Sequence, residues 1–253
     1  MGTLRDECIS LHESFQLTKL DWDTEYFGVR SAKVHLNDII SKEEMEIIKR
    51  FMLAYDFITI TNISNRSANN FWISTETSAF QTDINIQFVK QLPRTLFKET
   101  YATEVYDDYP RNEQILKTAS KAFRYSRFFN DPWLPSKKAK NLYAQWVENA
   151  FNKPGRYFVI AKHHAEIVGF LLFSMDLVSL TARIELVAID EDHRGNSVGK
   201  SLISKMESVL NKKGIVQAKV GTQLDNLSAY SFYTACGFKL VSYSSVYHYW
   251  PFK

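Results

Sequence analysis

The apolar positions of this chain alternate between two periods, and each change of period marks an element. Leu17–Val34 (LTKLDWDTEYFGVRSAKV) is rich in aromatics and ends in strand-like alternation, with Gly28 as the expected bend or bulge. Ser41 and Glu44 have the spacing of a capping box, and Met45, Ile48, Phe51 and Met52 then recur as on a helix. Phe57–Thr61 reads as a strand, and the passage Asn65–Phe80 leads into the alternating Ile84, Ile86 and Phe88 of another. After a turn at Asp107–Asn112, Glu113–Phe123 is helical in pattern, and the aromatic and basic text that follows reads as a helix, loop and helix. Tyr157–Lys162, Ile167–Ser174 and Arg183–Ile189 are strand-like, the first two forming a hairpin. A helix carrying Val198, Leu202, Met206, Val209 and Leu210 on one face, a strand at Gln217–Gly221, a further helical tract and two closing strands complete the pattern.

With 253 residues, and roughly 100–200 per domain, the chain has room for one large domain or two modest ones. The pattern divides it into a smaller α/β domain at 1–100 and a second at 101–253. Composition is that of an ordinary folded protein, 45% apolar and 23% charged. Thirty-one basic against 28 acidic residues leave +3, too weak a balance to make nucleic acid or an anionic membrane the expected partner, though a small anionic ligand is compatible with it. The longest apolar run, Ile167–Phe173, is far short of the roughly 18 residues of a membrane span. The first residues carry Arg5, Asp6, Glu7 and Glu13 with no apolar core, so no secretory signal is read and the cytoplasm is the expected location. Cys8 and Cys236 stand far apart and the six histidines lack ligand spacing, so no disulfide and no metal is expected.

Chemistry concentrates in one turn. Directly after the third strand-like run comes Asp190-Glu-Asp-His-Arg-Gly-Asn-Ser-Val-Gly-Lys-Ser201, leading into a helix. A glycine turn at a helix start gathers main-chain N–H groups and the positive end of the helix dipole, which suits a phosphate. The turn lacks both the P-loop and the dinucleotide fingerprint, so on its own it names no ligand.

The pair Arg194-Gly-Asn-Ser-Val-Gly199 and Asn226-x-x-Ala229-x-x-Phe-Tyr233-x-x-x-Gly-Phe238 resembles the acyl-CoA-binding core of the GNAT N-acetyltransferases. A closer resemblance, over nearly the whole chain, is to the TDP-fucosamine N-acetyltransferases. It rests on Leu20-Asp-Trp-Asp-x-x-Tyr-Phe-Gly-Val29, Ala122-Phe-x-x-Ser-Arg-Phe128, Tyr143-Ala-Gln-Trp-Val-Glu-Asn149 and the segment Val220–Tyr249. The resemblance implies an α/β GNAT fold, with a mixed, mostly antiparallel sheet splayed between its fourth and fifth strands, here Arg183–Ile189 and Gln217–Gly221. It implies acyl-CoA, acetyl or longer, as cosubstrate. Arg194, Gly195, Asn196, Ser197, Val198, Gly199, Lys200 and Ser201 would then hold the pyrophosphate, and Leu186, Val187, Ala188 and Ile189 would pair their main chain with the pantetheine. Asn226 would support that arm or a bound water. Ser197 stands where the family usually has Gly, which can either add a phosphate contact or restrict the backbone.

The implied activity is transfer of the acyl group to the amine of a dTDP-linked amino-dideoxy sugar by direct attack, for surface polysaccharide. Tyr233 is the expected proton donor to the leaving thiolate, or else a packed aromatic; Glu185 is the expected acid on the fourth strand, draining a proton through water, or else an ordinary strand carboxylate. Cys236 is read as spacer. For the acceptor, Arg124 and Arg127 are expected on the diphosphate, or else in surface ion pairs, and Tyr125, Trp133 or Tyr143 on the thymine. Trp22 and its neighbours either close the site or pack. The alternatives are a GNAT enzyme acting on a protein N-terminus or small amine, and a catalytically silent CoA-binding module.

Overall fold

The computed structural model describes residues 7–92, 101–123 and 125–253. In chain order the elements are β1 (Glu7–Leu11), β2 (Phe15–Lys19), α1 (Asp21–Phe27), β3 (Ser31–Leu36), α2 (Lys42–Met52), β4 (Phe57–Ile63), α3 (Ser67–Glu76) and β5 (Phe80–Gln91). Then follow β6 (Thr103–Asp107), α4 (Glu113–Ala122), α5 (Ser136–Glu148), β7 (Tyr157–His163), β8 (Glu166–Asp176), β9 (Thr181–Ile189), α6 (Val198–Lys212), β10 (Gln217–Gln223), α7 (Leu227–Ala235) and β11 (Lys239–Tyr249).

Two expectations change. The strand-like alternation at the end of Leu17–Val34 is β3, but Gly28 is not a strand's bend or bulge: Asp21 and Asp23 favour a helix start, and Gly28 ends α1 at φ 77°, donating its N–H to Thr24 O. The two closing strands are a single strand, β11, whose irregularities between Leu240 and Ser242 and between Val246 and Tyr247 break the alternation. The capping box at Ser41 and Glu44 is formed as read.

All eleven strands join in one sheet, in the order β1-β2-β3-β4-β11-β5-β10-β9-β8-β7-β6. The sheet is continuous across residue 100, and β5 lies between β10 and β11. Parallel pairing occurs at β3 with β4 and at β9 with β10, each pair connected through a helix. One face of the C-terminal half packs Leu202, Met206 and Leu210 of α6 on Ile86, Phe88, Ala218 and Val220. The opposite face packs Ile115, Tyr143 and Val147 of α4 and α5 on Phe158, Ile160, Phe170 and Leu172.

β9 changes sides midway. Ala182 and Ile184 belong to the core under α6, whereas Leu186 and Ala188 belong to the core under α4 and α5, although strict alternation would put all four on one face. The cause is a bulge: Leu172 pairs with Leu186 and the next residue, Phe173, pairs with Ile184, which leaves Glu185 as the extra residue.

The α4–α5 connection is fastened to the N-terminal half by a buried knot. Asp131 accepts from His248 Nδ1 at 2.6 Å, Trp250 Nε1 at 3.0 Å and the Trp133 N–H at 2.9 Å. Burial opposes the Asp131 charge, but these hydrogen bonds outweigh it and hold the carboxyl below its usual range. Burial pulls His248 down to about 4 against the pull of Asp131, so at neutral pH this is a neutral imidazole donating to a carboxylate rather than an ion pair. Nearby, Asn130 Nδ2 donates to Thr82 O at 2.8 Å, tying the connection to β5.

Candidate active site

Pairing between β9 and β10 stops at Ile184 with Val220. Beyond that point Leu186–Ile189 stay paired with β8, and Gly221–Gln223 with β5, so the two strands part into a V. Their facing edges have lost a strand partner, leaving main-chain donors and acceptors for an extended, amide-bearing ligand. A cavity of about 1000 Å³ occupies the V and continues over the N-terminal half of the sheet.

On the α6 and α7 side the cavity is lined by Arg194 and Gly195, by Asn226, Phe232 and Tyr233, and by Leu186, Val187, Ala188 and Ile189. Helix α6 begins at Val198 and the Ser197 side chain does not cap it, so its start presents main-chain N–H groups. Gly195 has φ 80° and Ser197 φ 63°, both in the left-handed region. Asn196, Val198 and Lys200 fall in this turn outside the cavity lining, and Ser201 is buried, accepting from the Tyr101 N–H at 3.2 Å. Gly199 has a packing reason: a Cβ there would stand 2.7 Å from the Phe232 ring and 3.0 Å from Ile189, so glycine lets α6 close on α7. Asn226 caps α7, its Oδ1 accepting from the Ala229 N–H at 3.2 Å, and its Nδ2 donates to Thr222 Oγ1 at 3.3 Å.

Tyr233 is 7% exposed and packs with Phe88, Phe232 and Phe238 while lining the cavity. Burial raises its phenol, so the group stays protonated at neutral pH. Cys236 behind it is pushed up to about 11, also by burial, which keeps the thiol inert. Glu185, at the bulge, lines the cavity but gives its carboxylate to Arg156.

The other half of the cavity was assembled from residues that no motif joins. Register aligns His35 with Thr61, Thr61 with Val246 and Val246 with Asp83, one row across four strands. The next row is Ile63, Ser244, Asn85 and Gln223. Both rows line the cavity. Burial, aided by Lys33, pulls His35 down to about 4, so it is neutral. Burial pushes Asp83 up to about 6, opposed by the Arg127 charge and the Ile84 N–H and reinforced by Asp225.

The α4–α5 connection forms the wall. Arg127 lines the cavity with its guanidinium 4.2 Å from the Phe128 ring centre, and its Nε is buried without a hydrogen-bond partner among the described residues. Tyr143 is buried, donates its hydroxyl to Tyr125 O at 3.3 Å and stacks on Phe123 at 4.3 Å. Tyr125 and Trp146, 44% and 45% exposed, offer the accessible aromatic faces. Sequence reasoning passed over Trp146 as a site residue; its place three residues after Tyr143 on a helix was the available signal. Arg124 lies outside the described residues.

Two expected residues are not brought to this cavity. Trp133 follows the turn held by Asp131, which seats its ring edge-on against Phe80 and Trp250 in a separate pocket of about 260 Å³. Trp22 stacks on Tyr26, whose hydroxyl donates to Lys138 O at 2.7 Å, joining α1 to α5. Among the described residues there is no cluster of metal-ligating side chains and no helix long and apolar enough to cross a membrane.

The chain is 28% identical over 142 residues to the spore coat polysaccharide biosynthesis protein SpsD of Bacillus subtilis, a match covering 56% of this chain and 48% of that protein, so the chain spans about half the length of this relative. It is 24% identical over 237 residues to the dTDP-fucosamine acetyltransferase of Escherichia coli O6:H1, covering 92% of this chain and 96% of that one. A solved GCN5-related N-acetyltransferase from Kribbella flavida superposes with a TM-score of 0.62 at 11% identity, over 97% of this chain and 89% of the other, a likeness of fold. Residues 113–238, running from α4 through the V to the end of the α7 motif, match the acetyltransferase (GNAT) family, and it is to this family that the chain belongs.

Proposed function

We propose that this protein is an acyl-CoA-dependent N-acyltransferase whose acceptor is the amine of a dTDP-linked amino-dideoxy sugar, serving surface polysaccharide synthesis in the cytoplasm. The observation that carries the reading is the single cavity with two unlike halves. One half is main-chain edge plus an uncapped helix start, fit for a pantetheine arm and a pyrophosphate. The other is polar on its floor, where the Asp83 carboxyl stands among uncharged side chains, with Arg127 and open aromatic faces on its wall, fit for a sugar, a diphosphate and a base. The relative named dTDP-fucosamine acetyltransferase, aligned over 92% of the chain, supports the acceptor class.

Acyl-CoA supplies the activated carbonyl. The main-chain N–H of Val187 or Ala188, on the parted edge of β9, would meet the thioester oxygen as negative charge builds there. The amine held beside the carbonyl attacks directly, with no covalent enzyme adduct. Tyr233 returns a proton to the departing sulfur. A free phenol near pKa ~10 giving a proton to a thiolate near ~8.5 is already uphill by about 2 kcal/mol, and burial steepens the climb. Tyr233 therefore acts only in concert with proton loss at the nitrogen. Arg127 grips the diphosphate, and Tyr125 or Trp146 stacks on the thymine.

The test is mass spectrometry of products from a panel of dTDP-amino sugars crossed with several acyl-CoAs, with a polyamine and a peptide as competitors. The expected result is acylation of one amino-sugar nucleotide well ahead of the competitors. Faster acylation of the polyamine or peptide than of any sugar nucleotide refutes the acceptor assignment, and CoA binding without thiol release from any acyl-CoA refutes the enzymatic one.

A further inference from the structure

Acyl transfer to an amine has a proton to dispose of. At neutral pH an aliphatic amine arrives largely as ammonium, which has no lone pair to offer, and something must accept that proton close to the thioester. Glu185, the carboxylate on the splayed strand, is already paired with Arg156. Asp83 is the other carboxylate lining the cavity among the described residues. It sits on β5, in the row with Val246, Thr61 and His35 and two residues from Asn85, which pairs directly with Gln223 of β10. That places it where the floor of the polar half adjoins the open end of the V.

We propose that Asp83 binds the acceptor's ammonium group and takes up its proton, so that the freed lone pair attacks the thioester carbon. The proposal rests on the acyl-transfer reading above. In the step, one N–H bond breaks and its proton passes to the Asp83 carboxylate. An N–C bond forms as the C–S bond breaks, the electron pair leaves with sulfur, Tyr233 gives its proton to that sulfur, and the second nitrogen proton passes through water to the Tyr233 oxygen and restores the phenol. The products are the amide and the thiol of CoA, and Asp83 returns its proton to water.

The surroundings fit that task. Burial lifts Asp83 to about 6, nearer to an amine than an ordinary aspartate, while Arg127 favours its ionised, proton-accepting form. Among the described residues, the charged and titratable groups around it are Arg127 on the connection, Asp225 beyond β10, Tyr143 on α5, and His35 and Lys33 on β3. His35 and Tyr143 are neutral at pH 7, so an incoming ammonium meets Asp83 as its anion on that floor. The neighbouring Thr61, Ser244 and Asn85 are uncharged donors and acceptors suited to ring hydroxyls.

Asp83→Asn keeps the shape and removes the base. With the sugar nucleotide that the wild type acylates, kcat/KM at pH 7 should fall by about 100-fold or more. The loss should shrink toward pH 9, where the free amine predominates, with acyl-CoA affinity by calorimetry unchanged and a melting temperature no lower than wild type, since the buried charge is removed. Asp83→Ala should regain activity with added formate. A variant with wild-type kcat/KM and pH profile, in an enzyme that does acylate amino-sugar nucleotides, overturns the proposal and leaves the function standing. A loss that is equal at every pH, or without formate rescue, also overturns it. If the wild type prefers a different amine, the acceptor assignment falls and Asp83 is judged by the same pH-dependent loss on that amine; if it acylates no amine, both fall.

Discussion

The two halves of the cavity are built by opposite means. The half formed by β9, β10, α6 and α7 uses the backbone: parted strand edges, an uncapped helix start, and glycines that let elements approach. Its parts come from one run of sequence, roughly Glu185 to Tyr233. The half formed by β3, β4, β5, β11 and the α4–α5 connection uses single side chains set side by side by strand register, and its members come from five separate places. A ligand site made of main chain tolerates side-chain change except where bulk blocks approach, whereas one made of isolated side chains is retuned by any single substitution. A constant cosubstrate beside a variable acceptor is what such a division permits.

Variants on either side should separate the halves. The largest effect is expected from Tyr233→Phe, which should lower kcat by about tenfold to a thousandfold while acyl-CoA affinity stays near wild type, since a proton donor is lost and little contact. Equal losses of rate and affinity, by stopped-flow and calorimetry, would make Tyr233 a packing residue. Gly199→Val drives a side chain into Phe232 and Ile189, so the melting temperature and acyl-CoA affinity should fall together, by roughly 1–3 kcal/mol in stability. Affinity lost with stability intact would mean that glycine is there for the pyrophosphate alone. Arg127→Ala should raise KM for the sugar nucleotide by about 10- to 100-fold and leave that for acyl-CoA alone, because a charge-assisted hydrogen bond contributes about 1.5–3 kcal/mol. A parallel rise in both constants would erase the division.

Acid should weaken the N-terminal half. His35 and His248 are held near 4 in the fold against an ordinary 6.5, so the unfolded chain binds their protons first. Their stabilising contribution is complete above pH 6.5 and is lost as pH falls toward 4, by at most about 1.4 kcal/mol per pH unit for each, and less for the partly solvated His35. Asp83, raised to about 6 from 3.8, works in the other direction over pH 6 to 4, because there the folded state holds the extra proton. Urea titrations at pH 7 and pH 5 should show the decline, and Asp83→Asn should steepen it. A flat profile in the Asp83→Asn variant, where that opposing contribution is gone, would mean that neither histidine is buried neutral. The smallest effect is expected at Ser197. Its left-handed backbone costs an L-residue about 1–2 kcal/mol, so Ser197→Gly should be neutral or stabilising by about 1 kcal/mol, and CoA affinity should not fall.

The same division explains what was legible in the sequence. The turn before α6 was readable because glycines fall at a helix start, and the V and the part given to Tyr233 were implied by the resemblance that the locally spaced motifs carry. Asp83 was not. Ile84, Ile86 and Phe88 announce a strand with one buried face, and the alternate positions Asp83, Asn85 and Gln87 then read as solvent-facing. Here the α4–α5 connection covers that second face, a tertiary fact without local signal. The bulge at Glu185 was hidden for a similar reason: it shows only as a mismatch between two strands. Gly28 was read as a bend or bulge because the seven-residue α1 before it, holding Trp22, Tyr26 and Phe27, is too short to show a helical period, and the two aspartates that favour the helix start look like ordinary polar positions.

The position of β5 also governs how the chain reaches its fold. Phe88 pairs with Val220 on one side and Leu240 on the other, so both partners of this strand are separated from it by well over a hundred residues of chain. Non-local pairing of this kind slows folding, since chain closure must precede the contacts that reward it. During synthesis β5 is finished long before β10 and β11 exist, and both of its edges stay open until nearly the last residues are made. The interval is one in which the nascent protein is most exposed to strand-to-strand aggregation, and chain shortened at its C-terminus would keep that hazard permanently.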